Sequence, residues 1–131
     1  MARNTARPLS PHLQIYKWGP HMAVSLLNPA MGVGLATVGI AAITWWLVSA
    51  ASGEAAYDVF LKCAHSWLGI VVGVGLTFAW LLHFFAGVRH FFLDAGAGFE
   101  LNANRTWAWS TLLGAVIVTG AIWLFIAGKG L

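Results

Sequence analysis

The sequence predicts an all-α membrane protein with three transmembrane helices. The chain has 131 residues, of which 60% are hydrophobic and 8% charged. Its mean hydropathy is +0.78, which implies more apolar surface than a small soluble core can hide. Residues 18–53, 63–88 and 106–128 contain no Asp, Glu, Lys or Arg, and each window exceeds the roughly 20 residues that a helix needs to cross a bilayer. None of them alternates between polar and apolar residues as barrel strands do.

The order of polar and apolar segments predicts a short N-terminal segment followed by one membrane domain. Residues 1–20 are polar and hold three of the four prolines, so we expect no regular helix throughout them and place them at the cytoplasmic surface or against a soluble partner. Residues 21–131 form the transmembrane domain, with helices at about 22–51, 63–92 and 106–128. Helix two contains GIVVG, Gly69–Gly73, a small-xxx-small motif that predicts close packing against a partner helix. Loops 51–62 and 93–105 are too short for a catalytic domain.

The positive charges predict the orientation of the chain. Five Lys and Arg residues precede helix one or flank the second loop and two lie on the opposite side: Arg3, Arg7, Lys17, Arg89 and Arg105 against Lys62 and Lys129. By the positive-inside rule, the N-terminus lies in the cytoplasm. This distribution accounts for the net charge of +3, and no basic cluster indicates nucleic acid binding. The single cysteine, Cys63, excludes an internal disulfide and a thiolate metal cluster.

The stretch HFFAGVRHFFLD, His83–Asp94, places ionisable residues in and just beyond an apolar run. At about 100° per residue, His83, Gly87 and His90 share one helix face. His83 lies about 9 Å inward from Arg89 and therefore within the bilayer, whereas His90 lies at its edge. Two interpretations of His83 follow: a neutral side chain that is hydrogen-bonded to a neighbouring helix, or an axial ligand of a haem.

A haem suits this face because neutral imidazole is a good iron ligand and Gly87 leaves space for a flat apolar ring. Arg89 or His90 is then expected to contact the haem propionates near the cytoplasmic surface. A low-spin electron-transfer haem needs two axial ligands, and no second histidine lies level with His83. His65 precedes His83 by eighteen residues, which is about 27 Å along a helix. A second haem near His65, at the outer surface, is an alternative.

Two motifs resemble those of a known family. RPLSPHLQIYKW, Arg7 to Trp18, and HFFAGVRHFFLD are together similar to the signatures of the cytochrome b membrane-anchor subunit of succinate dehydrogenase, respiratory complex II. Ser25 and the SWLG at Ser66 to Gly69 extend the match, which spans residues 7–94. The third helix contributes only its architecture to the resemblance.

The resemblance implies a site, a cofactor and partners. His83 would bind one haem b, and the other axial histidine would come from a second anchor subunit that packs with this chain into a helical bundle. Ser25 would line a ubiquinone pocket. The other partners would be the iron–sulfur subunit, the flavoprotein subunit and membrane lipids. The chain would be a subunit without catalytic activity of its own, and we expect the bacterial inner membrane in preference to the mitochondrial one.

One departure from the family pattern lies in helix one. The family usually has His-Arg three and four residues after the serine, and this chain has Asn28 and Pro29 there. Pro29 is expected to kink the helix, and Asn28 keeps hydrogen-bonding groups without a charge and is assigned to the quinone site with Ser25.

Three apolar helices are also compatible with two other functions. The first is a haem-free structural anchor of a fumarate reductase-like complex, against which the pairing of His83 with Gly87 argues. The second is a subunit of a small transporter or channel, which the absence of carboxylates from the three windows disfavours.

Overall fold

The computed structural model describes residues 6, 8–10 and 12–130, and all regular structure in these residues is helical. Arg3, Arg7 and Pro11, which enter the orientation and motif arguments, lie outside the described residues. The helices are α1 (Pro20–Gly34), a π-helical segment (Leu35–Gly39), α2 (Ile40–Ser52), α3 (Glu54–Ala64), α4 (Trp67–Asp94) and α5 (Leu101–Gly128).

Three helices are long and apolar enough to cross a membrane: the continuous helix Pro20–Ser52 of 33 residues, and α4 and α5 of 28 residues each. At a rise of about 1.5 Å per residue, each exceeds the roughly 30 Å of a hydrocarbon core. The predicted fold class is therefore confirmed. The first helix continues as an α-helix through Pro29 to Gly34. The departure from α-helical hydrogen bonding follows at Leu35–Gly39, where the backbone N–H of Ile40 donates to the carbonyl of Leu35.

The first loop is largely helical, which the sequence did not predict. The chain turns at Gly53, and α3 follows with Glu54 in its first turn and Lys62 in its last. These charges suit the helix dipole, which favours an acidic residue at the start and a basic one at the end. The ring of Phe60 meets the ring of Trp45 edge-on at a centroid distance of 5.2 Å. The charges that ended the apolar window therefore belong to an amphipathic helix packed against α2.

The bounds of α4 and α5 differ from the predicted ones for local reasons. α4 begins at Trp67 because Ser66 caps it, with the Ser66 hydroxyl accepting from the N–H of Gly69 at 3.1 Å. The second loop is shorter than expected because Gly96 and Gly98 both have φ of +83°, a left-handed conformation that glycine adopts without strain and that turns the chain tightly. α5 therefore begins at Leu101 instead of near residue 106.

α4 lies centrally and packs against both α1 and α5, and α1 also contacts α5. Small side chains occupy the contacts: Ala79, Ala86, Ala108 and Ala115 are all buried. Small residues let membrane helices approach closely, and this favours van der Waals packing where no hydrophobic driving force operates between helices. Leu82 is fully buried and joins Leu81 and Ala115 in the main apolar cluster.

The glycine at the end of the GIVVG motif contacts α5 of the same chain. A Cβ built on Gly73 would lie 2.8 Å from two ring carbons of Trp123. The Trp123 indole N–H donates to the hydroxyl of Thr77 at 3.2 Å, and that hydroxyl donates to the carbonyl of Gly73 at 2.8 Å. The absence of a side chain at Gly73 thus allows a tryptophan to lie against the helix backbone.

Gly73→Ala should weaken the contact between α4 and α5 by about 1–3 kcal/mol, because the added methyl group overpacks a site that a rigid indole ring already fills. Thermal denaturation of the purified complex in detergent measures the effect. Gly75→Ala is the matched control, since a Cβ at Gly75 meets no atom within 4 Å. Equal midpoints for the two variants would contradict the assigned contact.

Candidate functional site

His83 lies on α4, is exposed on the surface of the chain, and contacts α1 through its ring. Its Nδ1 lies 3.1 Å from the backbone carbonyl oxygen of Asn28. A carbonyl can only accept, so Nδ1 carries the proton and donates. In the neutral imidazole, Nε2 then keeps its lone pair. The hydrogen bond to a neighbouring helix, one of the two interpretations from sequence, is therefore present. It is also the contact that metal-binding histidines usually make through their second ring nitrogen.

Gly32 makes the close approach of His83 to α1 possible. A Cβ at Gly32 would lie 3.1 Å from Cε1 and 3.5 Å from Nδ1 of the His83 ring. Gly32 follows Asn28 by one helical turn and so shares its face of α1. Sequence reasoning missed Gly32. Its spacing from Asn28 places both residues on one face of α1, but nothing in the sequence shows that this face contacts His83.

The face of α4 around His83 is open. A Cβ at Gly87 would meet no atom within 4 Å, so the space predicted beside His83 is present in this chain. His90, seven residues after His83, is also exposed, about 10 Å further along the helix. Trp80 and Phe84 border this face, are 57% and 50% exposed, and stack at a centroid distance of 5.6 Å. The open face therefore presents the His83 imidazole among apolar and aromatic surfaces.

Arg89 occupies a different position from His83 and His90. Its side chain is 3% exposed, and its Nη2 donates to the Oδ1 of Asn104 on α5. Nε and Nη1 are buried and make no hydrogen bond. Six residues separate Arg89 from His83, about 240° around the helix, so the structure does not bring them together. Asn104 was missed because the sequence placed residue 104 in a loop.

Ser25 and Asn28 lie one turn apart on α1. The Ser25 hydroxyl is exposed and donates to the carbonyl of His21 at 2.8 Å. The side-chain Oδ1 of Asn28 is buried without a hydrogen-bond partner. Pro29 has no N–H to donate to the Ser25 carbonyl. Hydrogen-bonding groups therefore gather on this turn of α1, next to the contact with His83.

Within residues 6, 8–10 and 12–130, no three His, Cys, Asp or Glu side chains gather as a metal site.

Comparison with known proteins identifies the family. Residues 3–122 match the model of the succinate dehydrogenase/fumarate reductase transmembrane subunit. The chain belongs to this family. It is 37% identical over 112 residues to the succinate dehydrogenase cytochrome b556 subunit of Paracoccus denitrificans, a match that covers 86% of this chain and 85% of that protein.

Further relatives come from a Rickettsia species and from mouse mitochondria. The cytochrome b556 subunit of Rickettsia bellii is 33% identical over 119 residues, covering 90% of this chain and 91% of the relative. The mouse mitochondrial cytochrome b560 subunit is 32% identical over 124 residues, covering 92% of this chain and 69% of the relative. The resemblance inferred from the two motifs is thus confirmed. The chain is a multi-pass membrane-anchor subunit of succinate dehydrogenase, complex II, and works together with the other subunits of that complex.

Proposed function

We propose that this subunit binds one haem b through His83 and helps to pass electrons from succinate to ubiquinone. The observation that carries the proposal is the hydrogen bond from His83 Nδ1 to the carbonyl of Asn28. It leaves the Nε2 lone pair free on an exposed ring, which is the form of histidine that binds iron. The relatives named cytochrome b556 subunits support the same cofactor.

The residues around His83 fit a haem. The open space at Gly87 and the exposed rings of Trp80 and Phe84 suit a flat apolar macrocycle. When bound, such a group supplies one-electron redox chemistry. The part of this chain is to hold it from one side with a neutral imidazole in an apolar setting.

The second axial ligand is proposed to come from the second anchor subunit. Among the described residues, three further histidines do not lie on α4: His12, His21 and His65. His90 is about two turns from His83. The exposed His83 face is therefore proposed as the face toward that subunit, with the iron–sulfur and flavoprotein subunits docked at the cytoplasmic side.

His90 and Arg89 are proposed as propionate contacts, and the geometry favours His90. His90 is exposed on the same face of α4 as His83. Arg89 would have to leave its buried position beside Asn104 to reach a ligand on that face.

The quinone site is proposed near the start of α1, with Ser25 as a hydrogen-bond donor and Asn28 as a second polar group. A quinone carbonyl accepts hydrogen bonds, so the Ser25 hydroxyl would have to exchange its bond to the His21 carbonyl for one to the ligand. Because the position of the usual arginine is Pro29, this chain offers no cation there. Donors from the partner subunits are therefore expected to stabilise the reduced forms of the quinone.

His83→Ala should abolish the b-type absorption bands or reduce their amplitude, because the iron loses a protein ligand. A reduced-minus-oxidised spectrum of the purified complex measures this. His65→Ala is the comparison at another exposed histidine: unchanged bands there agree with one haem at His83, and weakened bands would support the alternative of a second haem near His65. Full haem occupancy with an unchanged spectrum in His83→Ala would be incompatible with ligation. A wild-type complex without b-type bands would support the haem-free anchor of a fumarate reductase-like complex.

Ser25→Ala should lower succinate:quinone activity several-fold while succinate oxidation by an artificial acceptor stays normal, since a lost hydrogen bond to substrate weakens binding by roughly 0.5–1.5 kcal/mol. Ser52→Ala is the matched control, because Ser52 is also exposed and donates to the carbonyl four residues earlier, at 2.7 Å. If Ser25→Ala leaves both activities intact, Ser25 serves only its own helix.

The proposed orientation places the N-terminus and the loop between α4 and α5 in the cytoplasm, which follows from the five-to-two excess of Lys and Arg. In a Cys63→Ser background, an impermeant maleimide should label Glu54→Cys in intact cells and Asn102→Cys only after permeabilisation. Both positions are exposed. Labelling of Asn102→Cys from outside, with Glu54→Cys protected, would invert the topology.

A further inference from the structure

One turn of α1, from Asn28 to Gly32, holds the ring of His83. The Asn28 backbone carbonyl lies 3.1 Å from Nδ1, and Gly32 faces the Cε1–Nδ1 edge of the ring. We propose that this turn positions His83 as a ligand: the Asn28 carbonyl selects the Nδ1–H tautomer, and Gly32 provides the gap in which the ring reaches that carbonyl. This inference rests on the proposed role of His83 as a haem ligand.

The Asn28 carbonyl acts on the electronic state of the ligand as well as on its orientation. A neutral imidazole carries its proton on either nitrogen, and only the Nδ1–H form presents a lone pair at Nε2. A hydrogen bond from the second ring nitrogen also raises the basicity of a metal-binding imidazole. A more basic ligand favours the oxidised metal and so lowers its midpoint potential.

The contact depends on the backbone of residue 28, and so it is indifferent to the side chain there. The family usually has histidine at this position and this chain has asparagine, yet either residue presents the same carbonyl. The side chain of Asn28 and its carbonyl therefore have separate roles, toward the quinone and toward His83.

Gly32 controls the distance between ring and carbonyl. A methyl group at Gly32 would approach Cε1 to 3.1 Å, so the ring must shift by a few tenths of an ångström. The hydrogen bond, at 3.1 Å, is already near the long end of the usual range of about 2.7–3.2 Å. A small outward shift is therefore enough to weaken it.

Gly34 provides the matched control. It lies on the same helix, two residues after Gly32, and a Cβ there meets no atom within 4 Å. Alanine favours helix at either position by a similar amount. Differences between Gly32→Ala and Gly34→Ala therefore report the contact with His83.

The first experiment compares the complete complex carrying Gly32→Ala or Gly34→Ala with the wild type by redox titration and electron paramagnetic resonance of the haem. Gly32→Ala should give a more positive midpoint potential and shifted g-values, because the imidazole loses its carbonyl partner. Gly34→Ala should match the wild type. If haem is present and the two variants are indistinguishable, the positioning role is wrong. A wild-type complex without haem would instead overturn the proposed function.

A second experiment leaves Gly32 untouched. In His83→Gly, added imidazole should restore the wild-type optical and resonance spectra, because it can bind iron with one nitrogen and donate to Asn28 with the other. 1-Methylimidazole has no N–H, so it should need about two- to tenfold higher concentration for the same restoration.

Equal rescue by the two compounds would overturn the role of the Asn28 carbonyl, whether or not Gly32→Ala assembles. A wild-type spectrum in His83→Gly without any added base would show that His83 is not a ligand, which overturns the proposed function itself.

Discussion

Hydrogen bonds between the three long helices are few, and each one joins two helices at a different level along α4. Within the described residues, side-chain hydrogen bonds join α1 to α4 at Asn28 and His83, and α4 to α5 at Arg89 and Asn104 and at Thr77 and Trp123. Apolar packing between helices is weakly directional in lipid, since lipid tails are as apolar as the side chains. The register of α4 against its neighbours therefore depends on these contacts and on the small residues between them.

The central position of α4 explains how one helix combines structure with chemistry. One side carries the buried residues Ala79, Leu82 and Ala86, which pack within the chain. The adjoining face carries His83 and Gly87 and stays open. A haem proposed on that open side would require no opening of the chain's own core. It would also leave His83 supported from α1, through a carbonyl that no side-chain substitution removes.

In HFFAGVRHFFLD, the structure distinguishes residues that the motif alone leaves undistinguished. The sequence offers Arg89 and His90 alike as contacts for the haem propionates. The fold separates them, because 100° of rotation per residue turns Arg89 toward α5 and leaves His90 on the same face as His83. The buried Arg89 guanidinium accordingly links α4 to α5 through its hydrogen bond to Asn104. The exposed His90 imidazole is available to a ligand.

The sequence by itself determined the three membrane helices, since an apolar run long enough to cross the bilayer is typical of a transmembrane helix. It also determined that His83 and Gly87 share one face, because this follows from helical periodicity alone. Neither signal contains information about which helices touch. The α3 helix was missed because its charges interrupt the apolar run, and Gly32, Asn104 and the pairing of Gly73 with Trp123 were missed because they are contacts between distant segments. Only the tertiary structure decided these, since a partner across 46 or 55 residues depends on how the helices pack and not on any local pattern.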